Sequence, residues 1–338
     1  MLLIGTDEAG YGPNLGPLVI AATAWRIPIE LPITTGPNLA RGAVEDLANH
    51  PGADLYARLR SVVSPESNGR SEKPPRLPVA DSKRIHATRD GLGGLERGVL
   101  AFASCSAESW RDLWPWFAPS SLPPWECGPF YHDYNIPAPC CVAAYDVADW
   151  SQRVAAALDT TGTRCLALRA VTLFPGEFNQ RLDEYGGKAD VLSAATLGLV
   201  RELLDEFQAG EPTVVLCDKH GGRGKYLDLL HGVWPEPWIE AREESLTTSR
   251  YRWGQSVDRV EIEFRARGEA AFPCALASMT AKYLRELAME AFNEFWLRRV
   301  PGLRPTAGYP QDAKRFRESV APLLKKLAIP ERDFWRNK

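Results

Sequence analysis

Two adjacent carboxylates near the start of the chain, Asp7 and Glu8, are the residue types that most clearly indicate chemistry. They follow the apolar run Leu2–Ile4 and precede the glycine-rich stretch Gly10–Pro13, after which comes a second apolar run, Leu18–Ala22. This order predicts a strand, a tight loop and a second strand, with both charges at the strand end. Adjacent negative charges are costly unless a cation neutralises them, and oxygen ligands suit a hard divalent ion.

The glycine loop has two other interpretations. A dinucleotide-binding fingerprint has the spacing G-x-G-x-x-G and opens a helix. Here the third glycine, Gly16, comes one position too late, Pro13 and Pro17 interrupt the loop, and β-forming residues follow. On this stretch alone, an acidic pair beside an ordinary β-turn stays possible.

Five sequence blocks carry a family resemblance. The segment Gly5–Val19 closely resembles the opening motif of the type 2 ribonucleases H, the family of ribonuclease HII and its archaeal and eukaryotic relatives. Further blocks follow in the family's order, resembling its D-S-K block, its strand with the third catalytic aspartate, its helix A-S-x-x-A-K-x-x-R-D and its late G-Y block: Ala80–Lys83, Val214–Asp218, Ala277–Glu286 and Gly308–Pro310.

The resemblance implies an α/β fold of the ribonuclease H type, with a mixed central sheet flanked by helices, loop-rich insertions and a C-terminal helical region. Alternating strand and helix patterns independently favour an α/β domain. We expect a catalytic domain over residues 1–300 with insertions near 27–79, 110–141 and 219–256. Residues 301–338 are expected to form a basic helical extension packed on the same domain.

Local patterns predict the main elements. We expect a hairpin over residues 1–26 and turns over 219–256. Further strands are predicted at Cys165–Leu173, Thr213–Cys217 and Val257–Arg267. A short helix is predicted near Val44–Arg60, and a helix capped by Asp81 or Ser82 is predicted to run through Leu100 with interruptions at Gly91, Gly93 and Gly94. Three further helices are predicted at Asp149–Leu158, Lys188–Phe207 and Ala275–Leu297.

The resemblance implies four catalytic carboxylates that together ligate two Mg²⁺ or Mn²⁺ ions: Asp7, Glu8, Asp218 and Glu286. Side chains of adjacent strand residues diverge, so Asp7 and Glu8 can share an ion pair only if the strand end twists or one acts through backbone or water. We expect Asp7 to be the bridging ligand. Asp218 could instead bond its own backbone at a loop start. Glu286 stands where the family has aspartate, and it could instead form a helix-surface ion pair with Lys282.

The resemblance also implies a set of substrate-binding residues: Gly10, Tyr11, Gly12, Ser82, Lys83 and Tyr309. In the family, the glycine turn senses a ribose 2′-hydroxyl largely through backbone groups, and glycines permit such a close approach. Tyr11 replaces the family's arginine, and it could stack on a sugar or base or simply pack. Ser82 and Lys83 could hold a phosphate, and Tyr309 resembles the family's junction-stacking tyrosine.

Three other patterns bear on nucleotide, zinc and base binding. The stretch His220–Lys225 is not a P-loop, because the G-x-x-x-x-G-K spacing is wrong and Tyr226 stands where Ser or Thr would bind Mg²⁺. Zinc is not indicated, because adjacent cysteines fit poorly into one tetrahedral site; the candidate ligands were Cys127, His132, Cys140 and Cys141. The Trp- and Pro-rich residues 110–141 are expected to pack in the core, with a base-stacking platform as the alternative.

Composition fits a folded chain of 338 residues, with 45% hydrophobic and 25% charged residues and a net charge of −3. Basic residues cluster after position 297 and around Lys219–Lys225, which would suit a polyanionic substrate. There is no run of transmembrane length and no signal-peptide pattern, and the seven cysteines are scattered. We therefore expect a cytoplasmic monomer with reduced thiols and no membrane association.

These features lead to a functional expectation. The resemblance implies a metal-dependent endonuclease that hydrolyses RNA in RNA/DNA hybrids, or ribonucleotides embedded in duplex DNA, leaving a 5′-phosphate and a 3′-hydroxyl. Two alternatives stay open. One is a catalytically weakened nucleic-acid-binding protein on the same fold, and the other is a metal-dependent nuclease for another nucleic acid.

Overall fold

The computed structural model describes residues 1–28, 53–67, 73–255 and 258–337. The strands are β1 (Leu2–Ala9), β2 (Leu18–Arg26), β3 (Val63–Ser64), β4 (Leu77–Pro78), β5 (Arg164–Leu173), β6 (Thr213–Asp218), β7 (Glu240–Glu244), β8 (Thr248–Trp253) and β9 (Val260–Arg265). The helices are α1 (Leu55–Arg58), α2 (Ser82–His86), α3 (Leu92–Ala103), α4 (Trp110–Phe117), α5 (Ala144–Thr161), α6 (Pro175–Tyr185), α7 (Lys188–Phe207), α8 (Leu227–Val233), α9 (Phe272–Leu297), α10 (Pro310–Lys326) and α11 (Glu331–Phe334).

A seven-stranded mixed sheet forms the centre of the fold, in the order β5-β2-β1-β6-β9-β8-β7. The strand β1 pairs antiparallel with β2 and parallel with β6, and β6 pairs parallel with β9. In the β1–β6 register, Thr6 lies opposite Cys217. The predicted α/β class, with a mixed central sheet flanked by helices, is confirmed.

Helices cover both faces of the sheet. Leu3 belongs to the cluster that contains α3 and α9, whereas Leu2 and Ile4 belong to the cluster that contains α7, as the alternation of a strand requires. Gly5 lets α9 lie directly on β1, because a Cβ there would be 2.5 Å from the backbone carbonyl carbon of Pro273. This close approach brings the middle of α9 to the carboxyl end of β1.

Most predicted elements are confirmed, with ends that differ from the predicted ones by no more than five residues. The N-terminal hairpin, the strand before position 218 and the helices α5, α7 and α9 form as expected. The helix expected from position 81 to 100, with an interruption at Gly91, Gly93 and Gly94, forms as two helices, α2 and α3, with Gly91 at φ 52 between them. Of the helix expected near Val44–Arg60, only α1 falls in the described residues; positions 29–52 lie outside them.

Residues 219–256, where glycine, tryptophan and proline turns are expected, also contain regular elements that the sequence did not predict. This segment contains α8 and a β7–β8 hairpin that extends the sheet beyond β9. Four of the five residues of β7 are exposed, so the strand lacks the apolar alternation that identifies strands in a sequence. Charged pairs link its strands instead: Arg252–Glu240 at 2.6 Å joins β8 to β7, and Arg250–Glu263 at 3.0 Å joins β8 to β9.

The last helices pack against the second half of α9. Ring centroids of Phe316 and Phe334 lie 5.7 and 5.8 Å from that of Phe292.

In the Trp- and Pro-rich segment, Trp110 and Trp114 are fully buried, which confirms core packing for these two rings. The division into residues 1–300 and 301–338 stays a prediction. In the part of the chain that the structure describes, no helix combines the length and apolarity needed to cross a membrane.

Candidate metal centre

The β1–β6 register brings Asp7 and Asp218 together. Asp7 follows Thr6 on β1, and Asp218 follows Cys217 on β6. Because Thr6 and Cys217 lie opposite each other, both aspartates lie at the carboxyl ends of two adjacent parallel strands. Ligand sites in α/β sheets lie beyond the carboxyl ends of the strands, because the loops that leave them open a crevice there. The central sheet therefore places two acidic side chains at a position suited to binding.

Glu8 joins these two residues despite its neighbouring position on β1. Asp7, Glu8 and Asp218 each offer an oxygen, and these oxygens all lie within 4.8 Å of one another. The Asp7 carboxylate accepts a hydrogen bond from the Glu8 backbone N–H, with 2.7 Å between Oδ1 and N. The expected divergence of adjacent side chains does not separate them at this strand end. Three carboxylates at this spacing fit a hard divalent cation such as Mg²⁺ or Mn²⁺.

Backbone and hydroxyl groups hold the acidic cluster in place. The Gly268 N–H donates to Asp218 Oδ1 at 2.9 Å, and backbone hydrogen bonds from Lys219 and Arg267 also reach this carboxylate. Asp7 hydrogen-bonds with the hydroxyl of Ser278, whose Oγ lies 3.0 Å from that of Ser82. Ser278, which belongs to the family-like block in α9, thus orients the predicted metal ligand Asp7.

The cluster stores electrostatic repulsion. Burial, followed by the charges of Glu8 and Asp218, raises the pKa of Asp7 well above its ordinary value. Burial and the charge of Asp218 raise the pKa of Glu8 to about 7, although Lys83 opposes this shift. A bound dication would relieve this repulsion, because it favours the ionised form of every carboxylate that it contacts.

Glu286 occupies a different position from the other three carboxylates. Its Oε1 lies 2.6 Å from Lys282 Nζ and 3.0 Å from an Arg285 nitrogen. Burial raises the pKa of Glu286, but the charges of Arg285 and Lys282 outweigh this effect and hold the pKa below its usual value. The helix-surface ion pair considered from the sequence is thus formed, and ligation by Glu286 stays a prediction.

The glycine loop lies beside the carboxylates and against the late G-Y block. Gly10 has φ +92, and a Cβ there would come within 2.5 Å of Pro17 O and 2.8 Å of Arg285 Nε. The Asn14 N–H donates to Gly308 O at 2.8 Å. A Cβ on Gly12 would lie 3.9 Å from the ring of Tyr309, which is 50% exposed. Two of the predicted substrate-contact blocks therefore form one surface.

Tyr11 bridges the glycine loop to α7 and to the loop after β6. Lys188 Nζ lies 5.1 Å from the centroid of its ring. Its hydroxyl points at Gly221, where a Cβ would be 3.4 Å away. Burial, followed by the charge of Glu8, raises the pKa of Tyr11, and the ion-paired Arg223 and Asp190 have smaller effects of opposite sign. The ring is therefore packed on one side and half-buried, which fits both roles considered for Tyr11 from the sequence.

The predicted phosphate contacts differ from each other in accessibility. Ser82 is buried, and its hydroxyl is engaged with Ser278. Lys83 is exposed, and its charge lowers the pKa of both Glu8 and Asp218, so it lies near the acidic cluster. The cap of α2 is Asp81, which accepts from the Lys83 N–H at 2.6 Å.

Two other sequence patterns have structural explanations. Lys219 is buried, and its ammonium donates to Ser245 O at 2.7 Å and to Ser249 Oγ at 3.1 Å, so it supports the β7–β8 hairpin. Of the four candidate zinc ligands, the structure brings Cys140 and Cys141 together with Glu96. The other two are engaged elsewhere: Cys127 donates to the Pro123 carbonyl, and His132 contacts Asp133.

Sequence reasoning missed Gly268 and Arg336. Gly268 follows β9 in sequence but contacts the end of β6, a pairing that depends on the strand order. In the sequence, Arg336 is one of many basic residues after position 297. In the structure it is 1% exposed and donates to the Gly10 and Pro13 carbonyls. Neither position carries a local pattern that distinguishes it from other glycines and arginines.

Comparison with known proteins gives limited likenesses. No protein-family model matches the chain, and no curated protein matches it. Among solved structures, the ribonuclease HII in a PCNA complex from Archaeoglobus fulgidus aligns with TM-score 0.41 and 14% identity, over 100% of this chain and 95% of that one. The ribonuclease H2 of Pyrococcus horikoshii OT3 aligns with TM-score 0.42 and 14% identity, over 99% and 92%. The Mn²⁺ complex of Bst-RNase HIII aligns with TM-score 0.39 and 12% identity, over 99% and 66%. At these TM-scores the likenesses carry no information about the site, whose chemistry rests on its own residues.

Proposed function

We propose that this protein is a metal-dependent endonuclease of the ribonuclease H type. Its substrate would be RNA in RNA/DNA hybrids or ribonucleotides embedded in duplex DNA, and its products would carry a 5′-phosphate and a 3′-hydroxyl. The observation that carries this proposal is the convergence of Asp7, Glu8 and Asp218 beside a glycine loop at the carboxyl ends of β1 and β6.

The carboxylates would hold two Mg²⁺ or Mn²⁺ ions. Such a pair supplies an activated water and stabilises the leaving oxygen in phosphodiester hydrolysis. Asp7 is the proposed bridging ligand, supported by its position beside both Glu8 and Asp218. Glu286 is proposed as the fourth ligand; it would first have to exchange its contact with Lys282 for one with the metal.

The surroundings of the cluster suit a nucleic acid strand. Lys83 is an exposed cation beside the carboxylates and could contact a phosphate next to the scissile bond. The backbone of Gly10–Gly12 is proposed to sense the 2′-hydroxyl. Tyr309, half exposed beside Gly12, could stack on the next sugar or base. Tyr11 would form the other side of this surface.

The proposal is tested with three labelled substrates: an RNA/DNA hybrid, a DNA duplex with one embedded ribonucleotide, and an all-DNA duplex. We expect Mg²⁺- or Mn²⁺-dependent cleavage of the first two, and loss of cleavage in Asp7→Asn and Asp218→Asn. Asp183→Asn is a matched control, because Asp183 is an exposed aspartate that pairs with Arg332. Equal cleavage of the all-DNA duplex would indicate a nuclease of different specificity.

One observation favours a second candidate, a catalytically weakened nucleic-acid-binding protein. Glu286 is engaged by two cations and has one more methylene than the aspartate of the family motif. Salt-dependent binding of the hybrid without turnover, with either metal ion and at high protein concentration, would support this candidate over the nuclease.

We also propose that the protein acts as a cytoplasmic monomer. All seven cysteines are free thiols, which suits a reducing compartment. Size-exclusion chromatography with light scattering tests the monomer, and fractionation of the source cells tests the compartment.

A further inference from the structure

Residues 331–337, called the strap below, are anchored on α6. The amide nitrogen of Asn179 donates to the carbonyls of Arg332 and Trp335 at 2.8 and 2.7 Å. The Asn179 carbonyl oxygen accepts the Asn337 N–H at 2.8 Å. Because Asn179 is 1% exposed, these bonds are shielded from water and fix the strap firmly.

The strap is bonded to the glycine loop through Arg336. The Arg336 N–H donates to Asn14 O at 2.8 Å, and the Asn14 side-chain amide donates to Arg336 O at 3.0 Å. One guanidinium nitrogen, Nη2, also donates to the Gly10 and Pro13 carbonyls. The guanidinium lies 4.9 Å from the Phe178 ring centroid. A single buried side chain therefore holds both ends of the turn Gly10–Pro13.

This contact fixes the direction of a backbone N–H. In a planar trans peptide, the carbonyl and the following N–H point in opposite directions. Since the Gly10 carbonyl points inward to Arg336, the Tyr11 N–H points away from it. In the described ranges, no protein acceptor is found for the Tyr11 N–H. The cation behind the carbonyl also polarises this peptide and makes its N–H a stronger donor.

The arginine is costly in this position. Its Nε and Nη1 atoms are buried without hydrogen-bond partners. Burial and the neighbouring charge of Arg285 lower the pKa of Arg336 to about 9. A buried cation with unmet donors destabilises a fold, and an apolar side chain of similar size could fill the same space. The contacts with the two loop carbonyls are interactions that such an apolar side chain cannot make.

We infer that Arg336 is a positioning residue that orients the Gly10–Tyr11 peptide so that the Tyr11 N–H can bind a ribose 2′-hydroxyl. The inference rests on the proposed function, and it specifies the backbone contact by which that site would distinguish a ribonucleotide from a deoxyribonucleotide. Arg336 touches neither the carboxylate cluster nor, by this account, the substrate.

The test compares binding of two duplexes that differ only in one 2′-hydroxyl. Dissociation constants are measured in an Asp218→Asn background, for a duplex with a single ribonucleotide and for its all-DNA counterpart. We expect Arg336→Lys and Arg336→Gln to reduce the preference for the ribonucleotide about five-fold, the value of one hydrogen bond of about 1 kcal/mol. Equal weakening on both duplexes would mean a merely structural role and would overturn the inference.

A control variant and a second measurement separate this inference from the proposed function. Arg332→Lys lies in the same strap but pairs with the exposed Asp183, so it should leave the preference unchanged. Amide hydrogen exchange of the peptide covering residues 10–16 should be faster in Arg336→Lys than in the unmodified chain. This result is expected whether or not the protein cleaves RNA. Unchanged exchange there would refute the positioning role. Absence of any ribonucleotide preference in the Asp218→Asn parent would refute the recognition role and count against the proposed function.

Discussion

Gly268 and Asp218 are joined by a close backbone contact at the metal centre. The Gly268 N–H donates to Asp218 Oδ1 at 2.9 Å, and a Cβ on Gly268 would lie 3.0 Å from the Asp218 Cα and N atoms. Such a distance is tighter than most Cβ contacts, so a side chain here would push the end of β6 away by a few tenths of an ångström. The glycine thus sets the position of one predicted ligand relative to the others.

We therefore predict that Gly268→Ala weakens Mn²⁺ binding and cleavage about ten-fold, because ligand geometry is disturbed by fractions of an ångström. Calorimetric Mn²⁺ titration and initial cleavage rates measure the effect. Gly222→Ala is the matched control, since Gly222 lies near the same end of the sheet and a Cβ there meets nothing within 4 Å. If both variants bind metal as the unmodified chain does, Asp218 is not a ligand that Gly268 positions.

The acidic cluster predicts an unusual pH dependence of stability. The pKa of Glu8 is raised from 4.5 to about 7. The folded state therefore binds this proton more tightly than the unfolded state, and the stabilisation is lost as pH rises from about 4.5 to about 7. In metal-free buffer we expect the free energy of unfolding to fall by up to about 3 kcal/mol over this interval.

Urea unfolding at pH 5 and pH 8 measures this fall, and Glu8→Gln should reduce it, whereas Asp7, whose pKa burial also raises, accounts for the part that remains. Mg²⁺ should restore stability mainly at the higher pH, because it binds the ionised carboxylates. A fall of the same size in Glu8→Gln would show that other groups cause it.

Glu286 provides a prediction about its own role. If it is the fourth ligand, Glu286→Gln should lower kcat about ten-fold, whereas Lys282→Met should strengthen Mn²⁺ binding by releasing the carboxylate. Cleavage rates and metal titrations measure both effects. Glu290→Gln, one helical turn further, is the control; Glu290 forms a long contact of 3.5 Å with Tyr134. Full activity in Glu286→Gln would leave Glu286 as an ion-pair partner only.

The sequence located the acidic residues of the site that lie at the end of a recognisable apolar strand. Asp7 and Glu8 end an apolar run before glycines, and Asp218 ends a continuously buried strand, so each could be placed at a strand end in advance. Their meeting could not be derived from periodicity, because it depends on β1 and β6 being parallel neighbours. That part of the site came from the order of the family-like blocks.

Other features had no local signal. The strand β7 is almost entirely charged and forms by pairing with β8, so its tertiary context overrides its weak strand propensity. Arg336 acts on a loop more than 300 positions earlier in the chain. Contacts of this kind arise from the packing of α6 and the strap, and a single sequence contains no pattern that identifies them.

The adjacent thiols Cys140 and Cys141 provide the last prediction. Their sulfur atoms are 3.4 Å apart, and Cys141 is exposed. The buried Glu96 fixes this segment by accepting the backbone N–H groups of both residues at 2.8 and 2.7 Å. The Cys140 thiol hydrogen-bonds with the Cys141 sulfur and lowers the pKa of Cys141, against the opposing effects of burial and of Glu96, whose Oε1 lies 3.2 Å from the Cys140 sulfur. The same hydrogen bond and burial raise the pKa of Cys140.

Because the thiolate is the reactive form, Cys141 should be the first cysteine alkylated by iodoacetamide at pH 7. Peptide mass spectrometry over a time course measures the rate at each position, with Cys127 as an internal reference, because burial raises its pKa to about 12. Cys140→Ser keeps a hydrogen-bond donor and should preserve the rate at Cys141, whereas Cys140→Ala removes the donor and should slow it. Equal rates at Cys141 in the two variants would mean that exposure alone, and not the neighbouring thiol, determines its reactivity.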